Sequence, residues 1–461
     1  MISRLDIEER SREWGLRDDV VEKDYVLGWV LWGIGGHPAL SASWVFKGGT
    51  SLKKCYFETY RFSEDLDFTV LPGGPVHESE LAPLIGEVLT WIAAESGIDF
   101  SQRVPIFKTS ESGDYTEGRI YYRGPRATPT VASVKLDLTA SEKVARPTVL
   151  RAISHPYPDV LPAPAEVQCY AFEEVFAEKI RAMGERCRPR DLYDIVHLYR
   201  RGDFREQPEV VRQVLLEKCE SKGVPVPTFR SISQSPALAE LKSEWVNMLA
   251  HQLQALPPFD SFWEELKYLF AWLEESSKPG ALPSIVLGAA EVPSAIWSPP
   301  ATVSTWGAKV PLETIRFAGL NQLCIELGYG GSIRIVEPYS LRKTQDGNLV
   351  LHAVRTDSRE HRSYRVDRIQ SVRVTGRSFI PQYAVEFSAS GPLFSPSPST
   401  SPRRSSGPST RMRRSAATGI TYTFQCPYCQ KRFRRTRLNA RLHEHKSPQG
   451  YPCPGRVGYL V

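Results

Sequence analysis

The 461-residue chain lacks the features that mark exported or membrane-spanning proteins. Met1 to Arg12 is charged throughout and has no apolar core of the kind found in a secretory signal. The most apolar early stretch, "YVLGWVLWGIGG", is shorter than the ~20 residues that span a bilayer. These absences predict a cytoplasmic protein without a membrane segment.

Cysteine is also scarce, with eight residues in the whole chain. Five of them are scattered singly and three fall together near the C-terminus, which excludes a disulfide-rich framework. This usage fits a reducing compartment and predicts one metal site. The scattered cysteines are Cys55, Cys169, Cys187, Cys219 and Cys324.

Acidic residues are nearly missing from the C-terminal tail. From Thr400 onward the chain has thirteen Lys or Arg and one acid, Glu444. The tail therefore carries about +12 and the remainder about −6, because the net charge is +6. A compact basic tail indicates contact with nucleic acid. A solvated extension that only improves solubility would have the same charge.

The order of patterns predicts an α/β protein with two added modules. Strand-like and helix-like segments alternate through residues 1–275, whose C-terminal part is helical, and residues 276–305 are rich in Pro, Ser and Ala. Short period-two segments in residues 306–390 predict a small β-barrel. A low-complexity basic linker, 391–420, predicted to be disordered, precedes a cysteine/histidine module, 421–461.

Two carboxylates stand out in "FKGGTSLKKCYFETYRFSEDLDFTV". Asp65 and Asp67 are two residues apart, so on a strand they project from one face, and Asp137 is central in a second apolar strand, "ASVKLDLTA". Carboxylates so close raise each other's pKa unless a cation neutralises them, and Mg²⁺ is the natural partner. A triad of this kind can hold ions for phosphoryl or nucleotidyl transfer. "DLD" alone could also be a solvated strand end.

The turn before this strand predicts a phosphate cradle. Gly48 and Gly49 allow backbone amides to approach an anion closely. Thr50 and Ser51 add hydroxyls at a helix start, where the dipole favours phosphate. Residues 46–70 are therefore interpreted as a triphosphate-binding turn followed by a metal-binding strand.

These motifs resemble the AbiEii/AbiGii toxin family of nucleotidyltransferases, which have a polymerase-β-like fold. "VVEKDYVLGWVL" is similar to the family's N-terminal helix and "VKLDLT" to its third-carboxylate strand. "EEVFAEKIRAMGERCRPRDLYDIVHL" is similar to its distal Lys…Arg-Asp-x-x-Asp segment. The resemblance covers residues 1–275 and implies transfer of a nucleotide from an NTP to an acceptor, in some members the 3′ end of tRNA.

The resemblance also implies roles for individual residues. Asp65 and Asp67 would bind Mg²⁺, and Asp137 would be the third carboxylate. Lys179 would hold the triphosphate, and Asp191 would orient Lys179 or the acceptor. A simple ion pair between adjacent helices is the alternative interpretation of Lys179 and Asp191.

Three further residues come from the same segments. Ser63 and Arg61 would support the phosphates. Asp194 is three residues after Asp191, on the same helix face, and is ranked below it as a site residue.

The middle module resembles a WYL domain, an Sm-like barrel of prokaryotic regulators and defence proteins. "VEPYSL" and "YRVDRI" carry the resemblance, but the namesake Trp-Tyr-Leu position is Leu349-Val350-Leu351. Four arginines of this module could form a nucleic-acid or nucleotide surface, or simply a solvated face: Arg342, Arg355, Arg365 and Arg368.

The C-terminal module has the residues of a structural zinc site. Cys426 and Cys429 form a Cys-x-x-Cys knuckle, and Cys453 is a further ligand. The spacing is close to that of a ββα finger, with His443 preferred over His445 as the fourth ligand. The predicted small core is Phe433, Leu438 and Leu442, and "KRFRRTR" would contact phosphates.

The predicted protein is a Mg²⁺-dependent nucleotidyltransferase toxin of a toxin–antitoxin or phage-defence system, acting on RNA at the 3′ end of tRNA. An antitoxin and nucleic acid bound by the WYL-like and zinc modules are its expected partners. One alternative is a transcriptional regulator or sensor whose first domain binds nucleotide without catalysis. Another is an enzyme that modifies a protein or small molecule.

Overall fold

The computed structural model describes most of the chain in two compact units. Its described residues are 1–57, 60–200, 208–275, 312–343, 348–387, 393–394 and, near the C-terminus, 422–426, 429, 431–435, 440–446, 452–453, 457 and 459–460. The first unit ends at Leu393 and the second contains the described residues from Phe394 onward. The predicted linker 276–305 lies outside the described residues. So does linker 391–420, except for Leu393–Phe394, which form a short strand rather than disordered chain.

The first unit is mixed α/β, as predicted. The helices are α1 Arg4–Trp14, α2 Asp18–Gly36, α3 Pro38–Ser41, α4 Gly48–Ser51, α5 Glu78–Ser96, α6 Phe172–Arg186, α7 Pro189–Arg200, α8 Pro208–Lys222, α9 Phe229–Ser233, α10 Leu238–Ser243, α11 Trp245–Leu249, α12 Phe259–Glu275 and α13 Leu312–Leu320. A π-helical turn, Leu52–Tyr56, continues α4. None of the described helices combines the length and apolarity needed to cross a membrane.

The strands of the nucleotidyltransferase-like region form one seven-stranded sheet in the order β3-β4-β5-β2-β1-β7-β6. Their bounds are β1 Trp44–Lys47, β2 Asp65–Val70, β3 Ile106–Thr109, β4 Tyr115–Tyr122, β5 Ala132–Thr139, β6 Val149–Ala152 and β7 Glu166–Cys169. β2 is antiparallel to β1 and parallel to β5. The two predicted carboxylate strands are therefore direct neighbours.

An apolar core fixes one face of this sheet. The alternation in β2 and β5 turns Leu66 and Leu136 into the core, where they are fully buried. α2 and α5 cover them, and α2 is apolar around most of its circumference, as expected of a buried helix. The polar residues of β2 and β5 must then face the opposite side of the sheet.

A second core joins the helical region to the second sheet. It contains residues of α6, α7 and α12 together with Ile315 of α13 and Ile325 of the next strand. Tyr193 of α7 donates a hydrogen bond to Asn321 at 2.8 Å, directly after α13. The nucleotidyltransferase-like and WYL-like regions are therefore packed into one compact unit.

The second sheet is antiparallel and open, in the order β11-β10-β9-β8-β12, with β13 paired to β9. Its strands are β8 Leu323–Tyr329, β9 Ser332–Lys343, β10 Leu349–Arg355, β11 His361–Arg365, β12 Ile369–Ser378 and β13 Leu393–Phe394. The predicted strands are present, but the predicted closed barrel is wrong. Within the described residues the end strands β11 and β12 do not pair, because each bonds to one neighbour only.

The second unit consists of small sheets. Its strands are β14 Tyr422–Gln425, β15 Arg432–Arg435, β16 His445–Lys446, β17 Pro452–Cys453 and β18 Tyr459–Leu460. β14 lies between β15 and β18, and β16 pairs with β17.

Candidate active site

The parallel pairing of β2 and β5 places the predicted carboxylates side by side. Asp67 is in register with Asp137, and Asp65 is in register with Lys135. Residues in register on adjacent strands point to the same face, and here that face is opposite the apolar core. The polar face of the sheet therefore carries all three aspartates.

Asp137 is held by two neighbours on this face. Tyr115 donates a hydrogen bond to its Oδ1 at 2.6 Å, and Lys135 Nζ lies 2.9 Å from its Oδ2. In the part of the chain that the structure describes, the aspartates do not form a group of three ligand atoms within 4.8 Å of one another. Asp137 forms its ion pair with Lys135 on the same strand.

The electrostatics of Asp67 fit a cation site. Burial raises the pKa of Asp67 to about 6, with Asp137 and Asp65 adding to the rise and Lys47 and Lys179 opposing it. Burial also raises the pKa of Asp65. Two carboxylates that are costly to ionise on one face are a donor set that a divalent cation would stabilise.

The glycine turn packs directly against these carboxylates. Gly48 has a φ of +77°, and a Cβ on it would lie 2.2 Å from Asp67 Oδ2. A Cβ on Gly49 would lie 2.6 Å from Arg61 Nη2 and 3.1 Å from Ser63 Oγ. Gly48 is favoured by its left-handed backbone conformation, and a side chain at either position would displace the Asp67, Arg61 or Ser63 side chain.

The hydroxyls after the turn donate within the protein. Thr50 Oγ1 bonds to the carbonyl oxygen of Asp65 at 2.5 Å, and Ser51 Oγ to that of Gly48 at 2.9 Å. Both side chains are buried. Thr50 links the turn to β2 and Ser51 closes the turn on Gly48, and their contact with phosphate stays a prediction.

Lys179 is held by α7 through Asp194. The Nζ atom lies 2.8 Å from Asp194 Oδ2 and 3.9 Å from Asp191 Oδ1. Arg61 also binds Asp194, with Nε 2.6 Å from Oδ1 and Nη2 2.8 Å from Oδ2, and the hydroxyl of Tyr60 donates to Oδ1. Although burial opposes it, Arg61 and Lys179 hold the pKa of Asp194 well below its usual range. Asp194 is the centre of this buried cluster.

Asp191, the higher-ranked carboxylate, has a different partner. Arg186 binds it through Nε at 2.7 Å and Nη2 at 2.8 Å. Of the two, Asp194 is therefore the one that makes the close contact with Lys179. The three-residue spacing on α7 was the signal for both, since it places them on one helix face.

Arg61 is also placed differently from a surface phosphate ligand. Its side chain is 2% exposed, and its Nη1 donates to Gln252 Oε1 at 3.1 Å. Arg61 therefore packs against Gly49 from the protein interior and supports the turn.

Arg190 lies near Asp65 and is half-buried. Its Nε has no hydrogen-bond partner among the described residues.

A further charged network lies beside Asp67 and is not evident from the sequence. Lys47, in register with Asp67, forms ion pairs with Glu142 and, at 3.7 Å, with Glu178. Lys218 lies 3.3 Å from Glu178. Burial lowers the pKa of Lys47, but Glu178 and Glu142 raise it more, so the lysine stays charged beside the carboxylate site.

The arginines of the WYL-like sheet are mostly engaged within the protein. Arg342 is fully buried and its Nη2 donates to Glu386. Arg355 and Arg365 pair with the nearby Asp357 and Asp367. These contacts place Arg342 in the interior of the region instead of on a shared arginine face.

The second unit contains a metal-binding constellation. Ligand atoms of Cys426, Cys429, His445 and Cys453 all lie within 4.8 Å of one another. Cys426 Sγ is 3.6 Å from Cys453 Sγ, and Cys429 Sγ is 3.3 Å from His445 Nε2. Three thiols and an imidazole at such distances fit a tetrahedral zinc site.

His445, and not the preferred His443, lies in the cluster with the three cysteines. β16 pairs with β17 so that His445 lies opposite Cys453, while the side chain of His443 is exposed. The carbonyl of His443 lies 2.9 Å from His445 Nδ1, which orients the ring.

The predicted ββα arrangement is also wrong for the described residues. His445 lies on a strand instead of a helix, and the buried core is Phe424, Leu442 and two of the cysteines. Phe433 packs beside the core, with its ring 4.9 Å from that of His445. Leu438 lies outside the described residues.

The site thus combines a glycine turn against paired carboxylates with a lysine of α6. A comparison of the sequence with family models shows the family. Residues 29–265, just over half of the chain, match the nucleotidyl transferase AbiEii toxin of type IV toxin–antitoxin systems. The chain belongs to this family, and the predicted resemblance is confirmed.

Other comparisons add less. Residues 312–374 match the WYL domain. A solved structure, MenT4, a nucleotidyltransferase toxin from Mycobacterium tuberculosis H37Rv, is 21% identical with a TM-score of 0.41, covering 61% of this chain and 91% of that chain. No curated protein sequence matches the chain. The family assignment rests on the AbiEii match.

Proposed function

We propose that the protein is a Mg²⁺-dependent toxin that transfers a nucleotide from an NTP to RNA, at the 3′ end of tRNA. The observation that carries the proposal is the register of Asp67 with Asp137 beside the turn at Gly48, in a chain of the AbiEii family. In the reaction, the acceptor hydroxyl oxygen bonds to the α-phosphorus, and pyrophosphate leaves as the bond from that phosphorus to the bridging oxygen breaks.

Asp65 and Asp67 would hold Mg²⁺, with Asp137 as the third carboxylate. Mg²⁺ bound there would neutralise charge on the phosphates and on the leaving group. Burial raises the pKa of Asp67 to about 6, which supports this assignment because a bound cation would offset the cost of ionising the buried carboxylate. Tyr115 and Lys135 orient Asp137, which would accept the proton of the acceptor hydroxyl.

The triphosphate would lie between the glycine turn and α6. Gly48 and Gly49 bring backbone amides close to it, with Ser63 beside them. Lys179 would contact the phosphates and stabilise charge in the transition state, and Asp194 positions it. Arg190, which lacks a described hydrogen-bond partner at Nε, would be a second phosphate contact. Arg61 would support the glycine turn and Asp191 would stabilise α7, neither of them in contact with the nucleotide.

The proposed partners follow from the family and from the accessory modules. A type IV antitoxin would be the cognate partner. The zinc cluster would be structural, and the WYL-like sheet and the basic C-terminal module would bind DNA or RNA in the cytoplasm. The system would serve toxin–antitoxin control or phage defence.

The test is incubation of the purified protein with Mg²⁺ and each labelled NTP, together with total tRNA, other RNA or protein. Label on tRNA with the intact protein, but not with Asp65→Ala/Asp67→Ala, is expected. Label on protein alone would contradict the RNA acceptor. No label on any acceptor, with DNA binding retained, would favour a regulator whose first domain is not catalytic.

A further inference from the structure

The polar face of the seven-stranded sheet continues beyond the carboxylates across β5, β4 and β3. Antiparallel pairing puts Glu117 opposite Asp137 and Arg119 opposite Lys135. The next strand continues the row, with Lys108 opposite Glu117. This face starts at Asp137 and runs to the edge of the sheet.

Exposure shows that this part of the face is not covered by the described chain. Lys108 and Arg119 are exposed, while the neighbours of Arg119 on β4, Gly118 and Ile120, point the other way and are buried in the core. Tyr115, whose hydroxyl bonds to Asp137, is 36% exposed. The alternation therefore leaves a flat, solvent-accessible surface connected to the site.

The composition of this surface matches single-stranded nucleic acid. Arg103, Lys108, Arg119 and Lys135 supply four cations to a single acid, Glu117, outside the carboxylate site. Glu117 makes only loose contacts with its neighbours, 3.4 Å to Arg119 and 3.4 Å to Lys135. Such exposed pairs contribute little to stability, so Arg119 can exchange Glu117 for a phosphate while Lys135 stays paired with Asp137.

Aromatic rings lie among these cations. The guanidinium of Arg103 stacks over the ring of Tyr121, with Cζ 4.2 Å from the ring centroid. Tyr121 is four residues from Glu117 on β4, about 13 Å along the strand at ~3.3 Å per residue. Tyr115 offers a second ring at the other end. Unpaired bases stack on aromatic rings and on arginine planes.

We infer that this face, defined by Arg103, Lys108, Tyr115, Arg119, Tyr121 and Lys135, binds the single-stranded 3′ end of the acceptor RNA and leads its terminal hydroxyl to Asp137. The inference rests on the proposed function and names the acceptor-binding surface for it. The lysine and arginine side chains contact the backbone phosphates. The aromatic rings stack on the bases without distinguishing one base from another. The enzyme would therefore accept any unpaired 3′ end that reaches the site.

The first experiment maps contact without using catalysis. Full-length protein is irradiated with a short RNA that carries 4-thiouridine next to its 3′ end, and crosslinked peptides are identified by mass spectrometry. Crosslinks are expected within residues 103–122. Crosslinks confined to the residues from Thr400 onward, or to the WYL-like region, would overturn the inference. A protein that crosslinks in residues 103–122 but transfers no nucleotide would retain the inference and contradict the proposed reaction.

The second experiment measures the KM for the RNA acceptor. Lys108→Glu/Arg119→Glu is expected to raise it by about 10–100-fold and to reduce its salt dependence, because phosphate contacts are lost. Tyr121→Ala is expected to raise it about tenfold, as for one lost base stack. The KM for the NTP is expected to stay within about twofold, since none of these residues belongs to the proposed nucleotide site.

Matched controls come from the exposed helices of the same unit. Lys242→Glu/Lys267→Glu reverses two exposed lysines of α10 and α12, and Tyr268→Ala removes an exposed ring. These variants are expected to leave the KM for RNA unchanged. Equal effects of test and control variants, or a rise in the KM for the NTP in place of that for RNA, would overturn the inference. So would loss of binding to a protein partner with unchanged RNA kinetics.

Discussion

The carboxylate site and the C-terminal cysteine cluster both present metal-type ligands, but they depend differently on the structure around them. Asp65 and Asp67 lie on a strand whose opposite face, Leu66 and Phe68, is part of a large buried core. In the second unit, two of the four buried hydrophobic residues that the structure describes are the ligands Cys426 and Cys453. The first site thus lies on a sheet with an apolar core that contains none of its aspartates, whereas in the second unit two of the cysteines of the cluster belong to the core itself.

The two sites also differ in how closely their candidate ligand atoms approach one another. The cysteine cluster already has its four ligand atoms within 4.8 Å of one another. The aspartates are aligned by register, but Asp137 is bound to Lys135 and Tyr115. A structural metal site holds its ligands together as part of the fold, while a catalytic site leaves room for substrate. Metal should therefore control chemistry in the first region and folding in the second.

The largest effect is expected for removal of one carboxylate charge. Asp67→Asn should lower nucleotide transfer by a factor on the order of 10³ or more, because a ligand of the proposed cation is lost. The melting temperature should stay equal or rise, since the buried carboxylate with its raised pKa is replaced by a neutral amide.

The control for this prediction is Asp260→Asn, a change of the same kind at an aspartate whose side chain is 80% exposed. This control variant should change neither the rate of nucleotide transfer nor the melting temperature. If Asp67→Asn kept transfer within tenfold of wild type, or unfolded the first unit, the assignment of Asp67 as a metal ligand on an independent scaffold would be wrong.

The next largest effect concerns the fourth ligand of the cysteine cluster. His445→Ala should weaken zinc binding by about 100-fold or more, measured by competition with a chromophoric chelator, and should disorder the second unit. His443→Ala is the matched control, because its exposed side chain lies outside the cluster. Weaker zinc binding by His443→Ala than by His445→Ala would contradict the placement of His445 in the cluster. The melting transition of the first unit should be the same in both.

A smaller effect separates the two aspartates of α7. Asp194→Asn removes the charge that Lys179 and Arg61 share in a buried cluster, so it should lower the free energy of unfolding by about 3–5 kcal/mol. Asp191→Asn should lower it by about 1–3 kcal/mol, because its main partner, Arg186, is 57% exposed and can be solvated. Denaturant titration measures both. Equal losses would show that Asp191 shares the role assigned to Asp194.

The smallest effect depends on pH. Burial lowers the pKa of His352 to about 3, and His361 and Arg342 lower it too, while Ser363 faces its Nδ1. The unfolded chain takes up the proton near pH 6.5, so this contribution to stability is complete above that pH and is lost as the pH falls. Between pH 6.5 and 5 the loss should be about 2 kcal/mol at most.

His352→Gln should remove this loss, so the wild-type free energy of unfolding should fall more than that of the variant over the same interval. Chemical denaturation at pH 6.5 and pH 5 measures the difference. An identical fall in both proteins would mean that His352 titrates in the folded state as it does in the unfolded chain.

Local patterns in the sequence predicted much of the fold. The alternation in "EDLDFTV" and "ASVKLDLTA" corresponds to β2 and β5, and the glycine turn after "WVFK" starts α4 as expected. The parallel pairing that brings Asp67 beside Asp137 joins residues far apart in the chain, and no local pattern contains that register. The resemblance to the family supplied it indirectly.

The parts that the sequence did not predict depend on tertiary pairing. The sequence could not show which of Asp191 and Asp194 lies closer to Lys179, because both lie on one helix face and only packing brings Asp194 to 2.8 Å and Asp191 to 3.9 Å. His443 and His445 are two residues apart, and the spacing from the cysteines did not decide between them, whereas the strand pairing places His445 opposite Cys453. Lys47 was overlooked because its partner, Glu142, lies about a hundred residues further on.

The central claim is that this fold adds a nucleotide to the 3′ end of RNA. The most direct measurement is the mass of tRNA fragments after incubation with protein, Mg²⁺ and the NTP that gives label. The account predicts a 3′-terminal fragment heavier by whole nucleotides with the intact protein. It predicts no change with Asp67→Asn or when the 3′ hydroxyls have been destroyed by periodate. An unchanged 3′ fragment, or a mass added to periodate-treated tRNA, would contradict it.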